Sequence, residues 1–215
     1  MNESQDVANK DVGGRLNELL AAAGLLKVDS PTSTRFETYL VLLLRWNSRL
    51  NLTAIRDREG ILSRHFVESI ACARALPQEI GTLLDFGSGA GFPGIPIALC
   101  RPEISVTLAE SQTKKAAFLR EALRTLGLNA AVWAKRAETL PTRFDCVVMR
   151  AVDRMEKAIA VAVGLVSPGG WLVLMTTNAE LKKLQAASGE EIQWARTARL
   201  TLSEDQIIAI GARAS

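Results

Sequence analysis

Leu83-Leu84-Asp85-Phe86-Gly87-Ser88-Gly89-Ala90-Gly91-Phe92-Pro93-Gly94 is the stretch on which the reading of this 215-residue chain turns. A short apolar run gives way to three alternate glycines, and Pro93 with Gly94 then opens a helical pattern. Glycine tolerates positive φ and has no Cβ, so a ligand can lie against bare backbone at the carboxyl edge of a sheet. The spacing Gly89-Ala-Gly91-Phe-Pro-Gly94 also satisfies the G-x-G-x-x-G dinucleotide pattern, so the loop alone does not choose between ligands.

Downstream, short apolar runs recur as ISVTLAE, AAVWA, FDCVVM and WLVLM, separated by helical patterns at residues 94–100, 113–126, 154–166 and 179–187. With LLDF they make five strands alternating with helices, a βαβ series that predicts a mostly parallel sheet covered on both faces. Residues 193–200 and 206–210 supply two more strands. Upstream the character is helical. Leu16, Leu19, Leu20 and Ala23 fall three and four apart before Gly24, and Phe36, Tyr39, Leu40, Leu43 and Leu44 do so after Pro31, with Thr32, Ser33 and Thr34 as candidate caps. A third pattern runs over residues 59–76, with Pro77 just beyond it. Residues 1–12 are too polar to bury much and are expected to fray. The division expected is a helical extension over residues 1–78, packed on a core of residues 79–215.

Composition narrows the class. The hydrophobic share is 48%, yet no apolar run reaches the roughly 18 residues that cross a bilayer. The N-terminus lacks the basic start and apolar stretch of a secretion signal, so a cytoplasmic protein is expected. Cys72, Cys100 and Cys146 sit among apolar neighbours without C-x-x-C spacing, and His65 is the one histidine, so buried structural thiols and no metal site are expected. The net charge of +3 permits a polyanionic partner without requiring one.

Two features tilt the glycine loop toward S-adenosylmethionine. Asp85 stands two positions before the first glycine, the acidic-x-G-x-G-x-G order of Rossmann-like methyltransferases, in which the acid faces the methionine end of the cofactor. Ser167-Pro168-Gly169-Gly170-Trp171 resembles the P-G-G turn that such enzymes carry before their fifth strand. Glu110, about 20 residues beyond the loop, can accept both ribose hydroxyls, a need that NAD shares; its bland reading is a solvated strand-end carboxylate. The expected fold is therefore α/β, a Rossmann-like class I methyltransferase with a mostly parallel seven-stranded sheet, helices on both faces and an N-terminal helical extension. The segment Phe144-Asp145-Cys146-Val147-Val148-Met149-Arg150 lacks the Asn/Asp-Pro-Pro-aromatic run of many exocyclic-amine methyltransferases. No cysteine stands in the Pro-Cys or Thr-Cys setting of pyrimidine-carbon methyltransferases. Guanine N7 has a lone pair and no proton, so a site without an evident acid or base suits it.

Trp46-Asn47-Ser48-Arg49-Leu50-Asn51-Leu52-Thr53, Arg64-His65-Phe66-Val67-Glu68-Ser69, the glycine loop, Arg136-Ala137-Glu138 and Met149-Arg150-Ala151 together resemble the RsmG (GidB) family of ribosomal RNA guanine-N7 methyltransferases, over roughly residues 35–175. The resemblance implies S-adenosylmethionine as cofactor, with Gly87, Phe92, Ala137, Glu138 and Arg150 around it, beside Asp85, Gly89, Gly91 and Glu110 from the glycine loop and its acidic partner. It implies Arg150 and His65 as catalytic residues. Arg49, Asn51, Arg64 and His65 become RNA contacts, and the partner becomes ribosomal RNA or the small ribosomal subunit, met by a monomer. Arg35, Arg45, Arg56, Arg58 and Arg74 join Arg49 and Arg64 as candidate phosphate contacts. Plainer readings stand beside these: a structural ion pair for Arg150, core packing for Trp46, capping for Asn47, Asn51 and Thr53, and a satisfied packing residue for His65. Two departures from the family pattern are Leu174-Met175-Thr176-Thr177, where a lysine is usual after the fifth strand, and Gln206 in place of an arginine. The competing functions are a small-molecule methyltransferase with the N-terminal helices as a lid, and a non-catalytic cofactor-binding module.

Overall fold

The structure, a computed structural model, describes residues 11–200, 203 and 205–214. The expected fray over residues 1–12 lies outside them except at Asp11 and Val12, where the first helix starts. That helix, α1 (Val12–Ala22), is capped by the Asp11 carboxylate on the Gly14 amide. Helix α2 (Ser30–Leu50) begins earlier than Pro31, because Asp29 caps the Thr32 amide and Pro31 sits in the first turn, where a missing N–H costs nothing. Thr32, Ser33 and Thr34 are thus inside the helix. The third helix, α3, starts as Arg58–Gly60, widens to a π-helical stretch over Ile61–Val67 and finishes as Glu68–Ala75. Among the described residues no helix is long and apolar enough to cross a membrane.

Seven strands follow: β1 (Thr82–Phe86), β2 (Ser105–Ala109), β3 (Ala131–Trp133), β4 (Phe144–Arg150), β5 (Val166–Thr177), β6 (Ile192–Arg199) and β7 (Gln206–Arg213). Their order in the sheet is β3-β2-β1-β4-β5-β7-β6, parallel except for β7, which runs antiparallel to both β5 and β6. Helices α4 (Gly94–Cys100), α5 (Thr113–Leu126), α6 (Met155–Leu165) and α7 (Asn178–Ala187) make the connections. The chain winds outward from β1 on one side and from β4 on the other, so the switch point of the topology falls between these two strands, where open α/β sheets bind ligands.

Strand periodicity divides the core in two. Leu83, Cys146, Val148, Val173 and Met175 face the cluster shared with α1 to α5, while Leu84, Val147, Met149, Leu172 and Leu174 face α6 and α7. Both faces being covered explains why the strands read as continuous apolar runs. The N-terminal helices share the first core through an aromatic chain: Phe36 against Phe66 (5.0 Å), Phe66 against Tyr39 (5.4 Å), and Tyr39 against Phe92 of the glycine loop (5.4 Å). Burial of each such ring stabilises the fold by roughly 1.5–3 kcal/mol, and here it also fixes the glycine loop to the helical extension. The P-G-G segment lies inside β5 as an irregularity: Phe144 pairs Val166 and Cys146 pairs Trp171, so five residues of β5 span two of β4.

Candidate active site

The loop after β1 is shaped by its glycines. Gly87 has φ +77°, and a Cβ there would come within 3.1 Å of Val152. At Gly91, φ is +92° and a Cβ would meet Ile95 at 2.5 Å and the Tyr39 hydroxyl at 2.8 Å. The Tyr39 hydroxyl donates to the Ala90 carbonyl (2.5 Å), so α2 holds the loop from behind. Asp85 does the same from below. Its Oδ2 accepts the Gly94 amide (3.0 Å) and its Oδ1 is buried without a partner. Burial raises its pKa to about 7, against the lowering effect of the Gly94 and Ser88 hydrogen bonds. The carboxylate expected to face the cofactor therefore lies behind the loop and lines neither cleft described next.

Two clefts, each of about 440 Å³, meet over the carboxyl edge at the switch point. Both are bounded by Gly87, Glu110, Ser111, Val152 and Asp153, so they form one trough. The first continues over Phe86, Ala109, Ala137 and Glu138. The second continues past Gly89 and Phe92 to Leu52, Thr53, His65, Lys115 and Arg150. Glu110 joins the parts: Oε2 accepts the Gly89 amide (3.0 Å) and Oε1 the Gln112 amide (2.6 Å), which leaves lone pairs on each oxygen. It is not a solvated carboxylate. Glu138 is exposed and 3.3 Å from Arg136, while Ala137 is buried.

Arg150 ends β4 and is largely buried. Its Nη2 lies 2.5 Å from Glu68 Oε2 and donates to the Arg64 carbonyl (2.7 Å), and Nη1 is 3.5 Å from the Ser69 hydroxyl. Burial raises the Glu68 pKa and lowers that of Arg150, and each partner opposes the shift of the other. Glu68 is the site residue that sequence reasoning passed over. Its signal was present, a carboxylate three positions after His65 inside an otherwise apolar helical face. The widened turn over Ile61–Val67 brings the Arg64 carbonyl and Glu68 to the same guanidinium, the kind of role π-helical turns have at functional sites.

His65 stacks on Phe92 (4.6 Å between centroids), and its Nε2 is 2.7 Å from Thr53 Oγ1. Thr53 Oγ1 also accepts the Ile55 amide (3.2 Å), and with one hydrogen and a second lone pair it can serve Nε2 in either tautomer, while Nδ1 is buried without a partner. Burial, then the charges of Arg150 and Arg64, lower the His65 pKa to about 3, so the ring is neutral at physiological pH. The asparagines that precede it are structural. Asn47 accepts the Thr53 amide (2.9 Å), and Asn51 terminates α2 in the left-handed region at φ 48° while holding Arg56 (2.6 Å). Trp46 packs edge-on against Phe118. The segment shapes the bend that delivers Leu52 and Thr53 to the trough.

The basic residues separate. Arg49 and Arg64 are exposed. Arg45 is paired with Glu121 (2.7 Å). Arg35 reaches the Gly127 carbonyl at the far end of α5, and Arg74 stands beside Cys100 at the far end of α4, both away from the carboxyl edge. These two are removed from the set that could meet a ligand in the trough. Cys72 and Cys146 are buried and Cys100 is half-buried; burial raises the Cys72 thiol to about 12 and Cys100 to about 11, so none is a nucleophile. The segment Leu174-Met175-Thr176-Thr177, expected after the fifth strand, is instead the end of β5 itself, because its residues pair with β7, and Thr177 then caps α7 on the Glu180 amide (3.3 Å).

A sheet of this order with a glycine-floored trough at its switch point defines a class I, S-adenosylmethionine-dependent methyltransferase. Solved structures agree on the fold: a predicted O-methyltransferase from Agrobacterium tumefaciens aligns with a TM-score of 0.60 at 20% identity, over 68% of this chain and 81% of its own. The N-methyltransferase NodS from Bradyrhizobium japonicum, in complex with S-adenosylhomocysteine, aligns at 0.58 and 16% identity, over 82% and 99%. The sequence profile of rRNA small subunit methyltransferase G matches residues 32–204. Proteins named ribosomal RNA small subunit methyltransferase G are 45% identical over 77% of both chains in Xanthomonas oryzae pv. oryzae and 44% identical over 76% of both in Stenotrophomonas maltophilia. The chain belongs to the rRNA small subunit methyltransferase G family.

Proposed function

We propose that this chain transfers the methyl group of S-adenosylmethionine to N7 of a guanine in small-subunit ribosomal RNA, acting as a cytoplasmic monomer. The observation that supports the atom is the second cleft: burial makes its histidine a weak base, the carboxylate behind Arg150 is held in an ion pair, and of the acids on its shared border with the first cleft Glu110 is engaged by the Gly89 and Gln112 amides, which leaves Asp153. N7 offers a lone pair and has no proton to remove, so alignment is the chief requirement. When bound, S-adenosylmethionine supplies an electrophilic methyl on its sulfonium.

The residues present fit that cofactor. Bare backbone at Gly87 and Gly89 leaves room that a side chain would take, and Glu110 keeps acceptor capacity for two ribose hydroxyls. Ala137 and Glu138 stand where an adenine edge would need a backbone amide and an acceptor, and Phe92 and Arg150 bound the other end. Asp85 acts on the cofactor through the loop that it braces. In the second cleft, neutral His65, held by Thr53, and Arg150 orient the base; outside its lining, exposed Arg64 and Arg49, the latter in a separate cleft with Trp46 and Leu50, take backbone phosphates, and Asn51 shapes the approach. A base splayed from a loop would enter here.

The test is methyl transfer from labelled S-adenosylmethionine to small ribosomal subunits that lack the modification, beside free metabolites as acceptors. Label in the ribosomal RNA is expected. Label on metabolites alone would replace this reading with the small-molecule one, and tight S-adenosylhomocysteine binding with no transfer to either would replace it with a binding module.

A further inference from the structure

The outer wall of the first cleft carries Lys135, Arg136, Arg154 and Lys157. All four are exposed. Arg136 is near Glu138 (3.3 Å), and the Lys135 ammonium lies 5.4 Å above the Trp133 ring. Arg154 and Lys157 have no side-chain hydrogen bond or ion pair among the described residues. The acids in the same wall are Glu138, Asp153 and the buried Glu110, whose oxygens already serve the Gly89 and Gln112 amides. Arg154 also holds a left-handed conformation at φ 52°, a strained backbone for a residue with a side chain.

The four cations outnumber the three acids by one, and with Arg136 beside Glu138 it is Lys135, Arg154 and Lys157 that stay open to an anion. The adenosine half expected in this cleft is neutral, and the carboxylate of the cofactor belongs to its methionine end, toward the second cleft. Like charges around one opening repel each other unless an anion lies between them. On the reading proposed above, a guanine sits in the adjoining second cleft, so the RNA chain attached to it leaves that cleft within a few nucleotides of the rim.

We propose that the RNA backbone crosses the opening of the first cleft on Lys135, Arg154 and Lys157 and closes the exit of the cofactor behind it. Binding is then ordered: the cofactor enters before the RNA, and S-adenosylhomocysteine leaves after the RNA has gone. This adds a second track of contacts, on the sheet domain, to the arginines of the helical extension.

The test compares the wild type with the triple variant Lys135→Gln/Arg154→Gln/Lys157→Gln, which keeps the aliphatic stems. Three quantities are measured: S-adenosylhomocysteine affinity without RNA, affinity for unmodified small subunits across a salt series, and the release rate of labelled S-adenosylhomocysteine with and without those subunits. The wild type is expected to release the product at least about tenfold more slowly when RNA is bound. In the variant that retardation is lost, cofactor affinity without RNA is kept, and the log–log salt slope falls by about 2–3, as expected for three phosphate contacts. An unchanged salt slope with retained retardation overturns the inference, as does loss of cofactor affinity in the absence of RNA, which would assign the rim to the cofactor. Failure of the wild type itself to bind or methylate small subunits would instead count against the proposed function.

Discussion

Replacing Arg150 by methionine leaves the Glu68 carboxylate buried and unpaired, its side chain 5% exposed and 2.5 Å from where the guanidinium was. Removal of one partner of a buried pair costs about 3–5 kcal/mol, whereas replacing both by apolar side chains is often close to neutral. For a chain of this size about 2–4 °C of melting temperature accompanies each kcal/mol, so Arg150→Met should melt about 6–20 °C lower. The lower end applies if Glu68, already raised by burial, takes up a proton. The double variant Glu68→Leu/Arg150→Met should melt within a few degrees of the wild type. Differential scanning calorimetry measures the first property and methyl transfer to unmodified small subunits the second. An active-site role for Arg150 predicts that the double variant is folded and inactive. If methyl transfer returned along with stability, Arg150 would be a structural residue and the reasoning about the second cleft would be wrong.

Gly87→Val should abolish S-adenosylhomocysteine binding in titration calorimetry, because a Cβ meets Val152 at 3.1 Å and φ +77° strains any side chain; wild-type affinity would remove the loop from the site. With His65 lowered to about 3, methyl transfer should show no step near pH 6.5; a step there that disappears in His65→Asn would show a titrating ring. The same shift adds stability above pH 6.5 that is lost as pH falls toward 3, since the unfolded histidine takes up its proton first. Asp85 has the opposite sign: raised to about 7, it favours the fold below pH 3.8 and that contribution is lost as pH rises through 7, so Asp85→Asn should flatten stability between pH 4 and 8 in urea titrations. An unaltered pH slope in that variant would mean that Asp85 does not titrate in this range.

The sheet was legible because five buried strands had to be apolar on both faces and because glycine and proline punctuate their ends. The cofactor edge was legible for a similar reason: bare backbone can be written only with glycine. Other features were hidden by physics that a one-dimensional pattern does not carry. The apolar positions Ile61, Leu62, Phe66 and Ile70 fit an α-helix as well as a π-helical turn, so the widening that presents the Arg64 carbonyl to Arg150 could not be read. Asp29 outcompeted Thr32 to Thr34 as the cap because Pro31 prefers the first turn, and caps differ by single residues. Glu68 and Arg150 are 82 positions apart, and nothing local announces such a pair. Asp85 has the right place in the motif, yet strand alternation turns its side chain under the loop toward Gly94. Asn47 and Asn51 have the kind of capping role that the plainer reading gave them, Asn47 on the Thr53 amide and Asn51 at the end of α2, whereas the contact of Thr53 with His65, twelve positions on, had no local signal.

On the proposed function the methyl arrives on a ring nitrogen that needs no deprotonation. Methylation at N7 leaves guanosine positively charged and open to borohydride reduction, after which aniline breaks the RNA chain at that nucleotide. Small-subunit RNA labelled by this enzyme is expected to break at a single guanosine that carries all of the label, and the unlabelled control is expected to stay intact there. Label that persists in RNA resistant to scission would place the methyl on another atom and contradict the account.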